Sequence, residues 1–310
     1  MNAILSDAFD IGTINKGISY GLSEMISETE AEIEKKVEET AQKILEKGEK
    51  LKIVLVSGRS ASGKTTFTRK VCEKLSEKGR EARHIALDDF LLGLGYMPVN
   101  DDGTFDMESI AGLDTALANE CFRLLLREGR ADFPTFDFPK QRRGEKWNRI
   151  EIGEKGLIMI EGIHSLNPLL TENLPEEGIL KMFIEPKKAY KNGEETVLSA
   201  EEVRLIRRMT RDELFRGWCA EKTFAQWKSV LAGEKIYIEP YIDSADIKVD
   251  SSMDFEPAVF VDILSEMLSR IGRESPFFDM ASRLSEKLLS FEKISPDFLL
   301  KDSLLREFVG

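Results

Sequence analysis

A glycine-rich stretch between two apolar runs limits the possible folds of this chain more than any other feature. Gly58–Thr65 reads Gly-Arg-Ser-Ala-Ser-Gly-Lys-Thr and has the spacing G-x-x-x-x-G-K-[ST]. The run before it, Leu51–Val56, is apolar and β-branched, as a buried parallel strand should be. After it, apolar residues recur every four positions over Phe67–Leu75, which predicts a helix. The stretch therefore predicts a strand, a tight loop and a helix in direct succession.

This succession is the context in which the motif binds phosphate groups. Backbone N–H groups of the loop and the positive end of the helix cradle a polyphosphate. Lys64 would reach the β- and γ-phosphates, and the Thr65 hydroxyl would hold Mg²⁺. A chance match in a tight turn is the alternative. The predicted nucleotide site comprises Gly58, Arg59, Ser60, Ala61, Ser62, Gly63, Lys64, Thr65 and Thr66.

The composition limits the partners. The 310 residues carry a net charge of −12 and the pI is about 5.0. Such a surface repels phosphate backbones and anionic lipids, so neither nucleic acid nor a membrane is expected as a partner. The three cysteines are far apart, without metal-ligand spacing, which is typical of a reducing cytoplasm. Met1–Gly12 lacks the basic start of a signal peptide, and no apolar run reaches membrane-spanning length. The sequence predicts a cytoplasmic protein.

The chain alternates predicted strands and helices, which favours an α/β fold with a mainly parallel sheet. Strands are expected at Leu51–Val56, Ala82–Leu87, Leu157–Ile160, Leu180–Ile184 and Ile247–Val249, and helices at 64–78, 107–128, 201–215, 221–232 and 256–271. Asp132–Ile152 predicts an inserted hairpin. We expect an N-terminal extension (1–50), a central domain (51–253) and packed C-terminal helices (254–310).

The N-terminal extension contains a predicted amphipathic helix. Glu24–Lys50 is dense in Glu and Lys, and a narrow helical stripe runs through it: Ile26, Ile33, Val37, Ala41 and Ile44. Packing of this stripe on the central domain is the expectation, and a partner-binding or oligomerising helix is the alternative. Near the C-terminus, Met280, Leu284 and Leu288 form a similar apolar set.

Two carboxylates stand where predicted strands end. Asp88 follows the second strand and Glu161 follows the third. In open α/β sheets the carboxyl ends of the strands line the ligand crevice. Asp88 could accept the proton of a substrate hydroxyl and touch Mg²⁺, and Glu161 could organise the same ion. The alternative is that Asp88 or Asp89 caps the following turn.

Arginines concentrate on one predicted helix. Arg204, Arg207, Arg208 and Arg211 lie within two turns, and Arg216 follows them. Guanidinium groups are suited to clamping phosphates, so we expect a lid. The alternative is a solvated face on which Asp212 pairs with its neighbours, usually contributing less than about 1 kcal/mol.

In this combination the chain resembles the uridine kinase and phosphoribulokinase family of P-loop kinases. The likeness runs in order through about residues 50–250, on Gly58–Thr66, Asp88-x-Phe90, Phe105-Asp106, Pro134–Phe138, Glu161–Ile163, Arg204–Arg216, Pro240 and Ala245–Ile247. A closer likeness is to uridine kinase-like proteins related to threonyl-tRNA synthetase, without their synthetase-related N-terminal region. It rests on Ile163–Pro168, Ala220–Trp227 and Ser303–Gly310.

The resemblance implies a P-loop kinase fold: about five strands, helices on both faces, the hairpin, the arginine lid and extra terminal helices. It implies ATP and Mg²⁺ as cofactors and Asp88 as general base. Lys64 and Arg211 would assist catalysis, Arg207 would bind the nucleotide, and Thr65, Glu161 and Asp88 would surround the metal. The implied acceptor contacts are Phe90, Asp106, Phe136, Gln141, Arg143, Arg204 and Arg208.

The hairpin departs from the family pattern P-x-Y-D-F-x-x-H-x-R, in which Tyr and His contact a pyrimidine. Here these positions are Phe136 and Gln141. A site that hydrogen-bonds one ring rejects analogues strongly, so changed contacts can mean a changed substrate.

We expect the enzyme to phosphorylate a small-molecule acceptor at the 5′-hydroxyl of a pyrimidine nucleoside. Whether the chain forms a homo-oligomer is left open. The alternatives are another hydroxylated metabolite, such as a sugar or polyol, and a nucleotide-sensing regulatory module. The Asn15-Lys16 pair precedes the loop and lacks the N-K-x-D order of guanine-specific GTPases, which counts against GTP switching.

Overall fold

A sheet of five strands, each parallel to its neighbours, forms the centre of the molecule. The computed structural model describes residues 8–99, 105–172, 174 and 178–310, so the prediction for Met1–Gly12 lies partly outside the described residues. In spatial order the strands are β12 (Ile247–Asp250), β9 (Ile179–Glu185), β2 (Ile53–Ser57), β8 (Leu157–Glu161) and β3 (Ala82–Ala86). All five predicted strands are confirmed to within two residues at either end.

The core lies on both faces of this sheet. Every residue of β2 and of β8 is buried, which explains why both segments read as continuous apolar runs. Side chains alternate along a strand, so Val54 and Val56 of β2 enter one core layer, whereas Ile53 and Leu55 enter the other. The predicted α/β architecture with helices on both faces is therefore confirmed.

The helices cover the sheet and extend the chain beyond it. They are α1 (Ile11–Glu46), α2 (Lys64–Glu77), α3 (Thr115–Glu128), α4 (Ala200–Arg216), α5 (Ala220–Tyr237), α6 (Glu256–Ser269), α7 (Phe278–Leu288) and α8 (Arg306–Val309). The prediction of one helix over 107–128 is wrong in its first part. A 3₁₀ turn at Ile110–Gly112 comes first, and the Asp114 side chain then accepts from Leu117 N at 3.1 Å and starts α3.

Helix α1 begins well before the predicted Glu24. Asp10 caps it by accepting a hydrogen bond from Thr13 N at 2.7 Å, and a kink at Gly21 interrupts its period. The predicted stripe, including Ile33 and Val37, is buried in the core layer that Val54 and Val56 of β2 enter. Helix α1 therefore packs on the central domain. No helix in the described ranges is long and apolar enough to cross a membrane.

The predicted hairpin is present and stands beside the carboxyl ends of the strands. β4 (Arg130–Phe133) pairs antiparallel with β7 (Asn148–Glu151), and β5 (Phe136–Asp137) pairs with β6 (Arg142–Arg143). A separate three-stranded sheet, which is not part of the hairpin, consists of β1 (Ala8–Asp10), β10 (Ala189–Asn192) and β11 (Glu195–Leu198). The Asp89 carboxylate accepts from Phe136 N at 3.3 Å and ties the hairpin to the end of β3.

Candidate active site

The phosphate loop joins β2 to α2, and each motif glycine has a steric reason. A Cβ on Gly58 would lie 2.1 Å from the carbonyl oxygen of Ile184 on β9, so only glycine fits. Gly63 has a φ of +84° and forms the N-cap of α2 without a side-chain acceptor. The loop therefore brings its backbone close to the sheet, and its N-cap residue leaves the amides at the start of α2 free for an anion from elsewhere.

A cavity of about 280 Å³ opens above the loop. The ends of β3 and β8, the hairpin and helix α4 complete its wall. It brings together many of the residues that the sequence predicts: Ser60, Ala61, Lys64, Thr65, Asp88, Phe136, Gln141, Glu161, Arg208 and Arg211. A hydroxyl, a lysine, two carboxylates and arginines thus face one space of nucleoside size.

Glu161 lies at the end of this cavity that adjoins the phosphate loop. Its carboxylate accepts from Thr65 Oγ1 at 3.2 Å and lies 3.8 Å from Lys64 Nζ and 3.7 Å from His84 Nε2. Burial favours its neutral form, but the attraction of His84 and Lys64 and the Thr65 hydrogen bond outweigh this effect and lower the pKa of Glu161. Glu161 is therefore an anion at neutral pH.

These groups fit Mg²⁺, which prefers oxygen ligands and combines one or two protein groups with substrate phosphates. Thr65 and Glu161 offer a hydroxyl and a carboxylate beside the loop. Within the described ranges, no cluster of three or more His, Cys, Asp or Glu could hold a metal by itself. An ion at this place would consequently depend on the nucleotide for further ligands.

Asp88 faces the same cavity from the end of β3. Its side chain is exposed to the cavity, and desolvation by the surrounding protein, together with the charge of Glu161, raises the pKa of Asp88. The turn after β3 begins at Ala86 without a side-chain cap, and Asp89 bonds to the hairpin instead. The capping alternative is therefore not observed, and Asp88 remains available to a ligand.

Three arginines reach the cavity from α4: Arg208, Arg211 and Arg216. Arg208 Nη1 donates to Ser60 Oγ at 2.7 Å. All three pair with the fully buried Asp212, at 3.4, 2.8 and 3.4 Å respectively. Burial and the neighbouring Arg211 charge lower the pKa of Arg216 to about 10. The alternative predicted a solvated helix face on which Asp212 pairs with its neighbours. Asp212 does pair with these arginines, but their side chains are largely buried rather than solvated.

Arg204 and Arg207 do not line the cavity. This corrects the expected positions of Arg204 beside the acceptor and of Arg207 beside the nucleotide. Arg204 forms two hydrogen bonds to Glu234, at 2.5 and 3.0 Å, and Arg207 forms two to Glu256, at 2.8 and 2.5 Å. Both pairs are buried. Arg207 Nη1 also lies 3.4 Å from Ala61 O, beneath the loop. These arginines support the phosphate loop from behind.

Other predicted contacts also lie outside the cavity lining. Phe90 is fully buried, with its ring 5.7 Å from that of Phe122. Arg143 pairs with Asp114 at 2.9 Å. Asp106 accepts from the Tyr237 hydroxyl at 2.9 Å. Each of these side chains is in contact with a protein partner and does not line the cavity.

The Arg59 side chain likewise turns away from the loop's open face. It forms ion pairs of 3.1 Å with each of Glu185, Glu234 and Glu239. Its carbonyl oxygen, by contrast, accepts from Lys64 Nζ at 3.1 Å. Only the backbone of Arg59 therefore participates on the nucleotide side.

The structure adds residues to the cavity to which the sequence assigned no site role: Glu108, His164, Trp218, Gln226 and Glu307. Glu108 follows Asp106 in an irregular segment, and Glu307 lies 241 residues beyond its partner Thr66. Glu108 stands in no motif, and Glu307 lies in the family-like stretch Ser303–Gly310 without a role that the sequence would assign to it. Only the tertiary fold brings them to the site.

Comparison with known proteins agrees with this geometry. The model of the phosphoribulokinase/uridine kinase family matches residues 53–256. The uridine kinase of Mycoplasma genitalium is 30% identical over 200 residues, which cover 64% of this chain and 84% of that protein. The uridine kinase of Borrelia turicatae is 28% identical over 230 residues, 74% of this chain and 99% of that protein.

Among solved structures, a possible uridine kinase from Bacillus stearothermophilus aligns with a TM-score of 0.43 at 16% identity, covering 64% of this chain and 89% of that chain. The family match spans the phosphate loop, Asp88, Glu161 and helix α4. The chain therefore belongs to the phosphoribulokinase/uridine kinase family and is an ATP-dependent kinase.

Proposed function

We propose that this kinase transfers the γ-phosphoryl group of ATP to the 5′-hydroxyl of a pyrimidine nucleoside. The observation that carries the proposal is the position of Asp88, which faces one cavity together with the phosphate loop, Glu161 and the hairpin residues Phe136 and Gln141. A base, a phosphate cradle and an acceptor pocket thus share one space. We also propose a cytoplasmic location, and homo-oligomerisation is left open.

The proposed chemistry uses the residues as follows. Lys64 and the loop amides hold the triphosphate, and Asp88 accepts the proton of the attacking hydroxyl. The hydroxyl oxygen forms the new bond to the γ-phosphorus while the bond to the β-phosphate oxygen breaks and ADP leaves. Arg211 and Arg216 stabilise the charge on the transferring group. Mg²⁺, held through Thr65 and Glu161, would neutralise phosphate charge.

The acceptor end of the cavity suits a planar ring. Phe136 and Phe138 pack edge to face at 5.2 Å between ring centres, and Met97 and Leu113 continue the apolar wall. Gln141 Nε2 donates to Phe138 O at 2.7 Å. This bond fixes the amide, whose oxygen makes no hydrogen bond within the described residues. That oxygen could accept from a ring N–H or an exocyclic amine.

Glu108 offers a recognition group for acceptor hydroxyls. Its buried carboxylate lines the cavity and has, in the described part of the chain, Arg208 Nη1 at 3.8 Å as its nearest ionic partner. Burial raises the pKa of Glu108. The absence of a side chain on Gly233 leaves room for it, because a Cβ there would lie 2.4 Å from Glu108 Cβ. Asp106, by contrast, is already bonded to Tyr237.

Replacing Glu108 by Gln should therefore raise the KM for uridine about tenfold or more and leave ATP affinity unchanged. Hydrogen bonds to a charged group contribute about 1.5–3 kcal/mol, or roughly 10- to 150-fold. Initial rates at saturating ATP with varied uridine measure the effect. Glu145→Gln, which removes the same charge from an exposed hairpin position, is the matched control. An unchanged KM for uridine would exclude Glu108 from acceptor recognition.

The function itself is tested by ADP release from Mg-ATP with a panel of nucleosides, sugars and polyols, using Lys64→Ala as the inactive control. We expect uridine and cytidine to stimulate release most. A sugar or polyol as the best acceptor would favour the second candidate function, a kinase for another hydroxylated metabolite. Phe136 and Gln141 support this candidate because they replace the family's Tyr and His ring contacts. No acceptor-dependent release would indicate a nucleotide sensor.

A further inference from the structure

The C-terminal segment, defined here as Ser303–Gly310, forms part of the wall around the phosphate loop. Leu304, Leu305 and Phe308 are fully buried. The Arg207 guanidinium lies 5.2 Å over the Phe308 ring, and Leu304 Cδ2 comes within 4.0 Å of the Cβ position of Gly63. The segment is therefore anchored in the core directly behind the loop.

One side chain of this segment reaches the start of α2. The Glu307 carboxylate accepts from Thr66 N at 3.2 Å and from Thr66 Oγ1 at 3.1 Å. The N-cap residue Gly63 supplies no side-chain acceptor to this helix. Glu307 thus satisfies a free amide at the positive end of α2 from 241 residues away, and it also faces the cavity.

The position of this carboxylate coincides with the place where the loop is expected to hold phosphate. Free amides at the N-terminus of a helix bind phosphate and carboxylate for the same reason, since both are anions that accept hydrogen bonds. A phosphate oxygen and the Glu307 carboxylate cannot both accept from Thr66 in this geometry. Two anions side by side at one helix end also repel each other.

We propose that Glu307 is an internal anion that competes with the nucleotide phosphates for the start of α2, so that the C-terminal segment sets nucleotide affinity. The inference rests on the proposed function only in that a nucleotide binds at the phosphate loop. Because Leu304, Leu305 and Phe308 are buried, the segment stays in place and the Glu307 side chain rotates away from Thr66 when phosphate arrives.

A purely structural cap makes the opposite prediction. If Glu307 only stabilises the start of α2 and stays on Thr66 when nucleotide binds, its removal loosens the phosphate loop. Nucleotide affinity would then fall or stay the same. The two roles therefore differ in the sign of one measurable quantity.

Titration calorimetry of Glu307→Gln with ADP and with pyrophosphate separates these roles without any turnover. Glutamine has nearly the same size but no charge, so we expect both ligands to bind about five- to tenfold more tightly than to the wild type. Glu292→Gln removes an equal charge from an exposed site before the segment and should leave both affinities unchanged. Thermal unfolding verifies that each variant is folded, and Glu307→Ala should shift affinity in the same direction.

Unchanged or weaker binding of ADP and pyrophosphate to a folded Glu307→Gln protein overturns the inference and leaves the proposed function intact. A wild-type protein that binds neither ligand overturns both. Tighter binding of both ligands to Glu307→Gln, with Glu292→Gln unchanged, supports the competition.

Discussion

Replacing Asp88 by Asn should lower turnover by about two to four orders of magnitude while leaving the Kd for ATP nearly unchanged. A positioned general base contributes about 10²- to 10⁴-fold to the rate, and the amide of Asn cannot accept a proton at neutral pH. Asp88 lies at the end of β3, whereas the triphosphate is held by the loop and Lys64, so the substitution removes the base and keeps the cradle. Steady-state kinetics with the best acceptor and calorimetry with ATP measure the two quantities.

The neighbouring residue supplies the control for this experiment. Asp89 carries the same charge one position later, but its carboxylate accepts from Phe136 N at 3.3 Å and does not line the cavity. The amide oxygen of Asp89→Asn can still accept that bond, so turnover should stay within a few-fold of the wild type. Turnover that survives in Asp88→Asn would show that the base is assigned wrongly.

The sheet could be predicted from the sequence because its strands are buried on both faces. β2 and β8 read as apolar runs, and the parallel topology places the loop after β2, Asp88 after β3 and Glu161 at the end of β8 on one edge of the sheet. Thus Lys64, Asp88 and Glu161 could be placed around one cavity before any coordinates were known. Their chemistry depends on where strands end, and strand ends are visible in the sequence.

Element starts were harder to predict where local capping decides them. Gly21 breaks the period of α1, so its first turns resemble a loop in the sequence. Asp114 begins α3 by capping it, yet Glu108 and Ser109 before it look equally compatible with a helix. Such boundaries depend on single hydrogen bonds to side chains, and composition does not show which aspartate makes one.

The arginine cluster shows the main limit of sequence reasoning. Its members look alike along α4, but two of them meet carboxylates that lie far away in the chain: Glu234, 30 residues from Arg204, and Glu256, 49 residues from Arg207. Only the fold separates these supporting arginines from Arg208, Arg211 and Arg216, which face the cavity. The charge pattern along α4 therefore could not show which arginines face the cavity and which are bonded to buried carboxylates.

The Arg207–Glu256 pair leads to the largest expected effect on stability. Both side chains are fully buried, and two hydrogen bonds of 2.8 and 2.5 Å join them. Replacing Glu256 by Gln leaves the Arg207 charge buried without its counter-ion, which costs about 3–5 kcal/mol in comparable pairs. Urea denaturation should show this loss. Glu266→Gln, which breaks an exposed pair with Arg270, should change the unfolding free energy by less than about 1 kcal/mol.

A double variant decides whether Arg207 supports the loop or binds the nucleotide itself. Arg207→Met combined with Glu256→Leu removes both charges of this pair, and replacing a buried ion pair by apolar residues often costs little stability. In the wild type, the Arg207 guanidinium is bonded to Glu256, Ser251 O and Ala61 O rather than facing the cavity. If Arg207 acts as a support, the double variant should therefore recover most of the stability and keep ADP affinity within a few-fold. A folded double variant that has lost ADP binding would instead restore Arg207 to the nucleotide site.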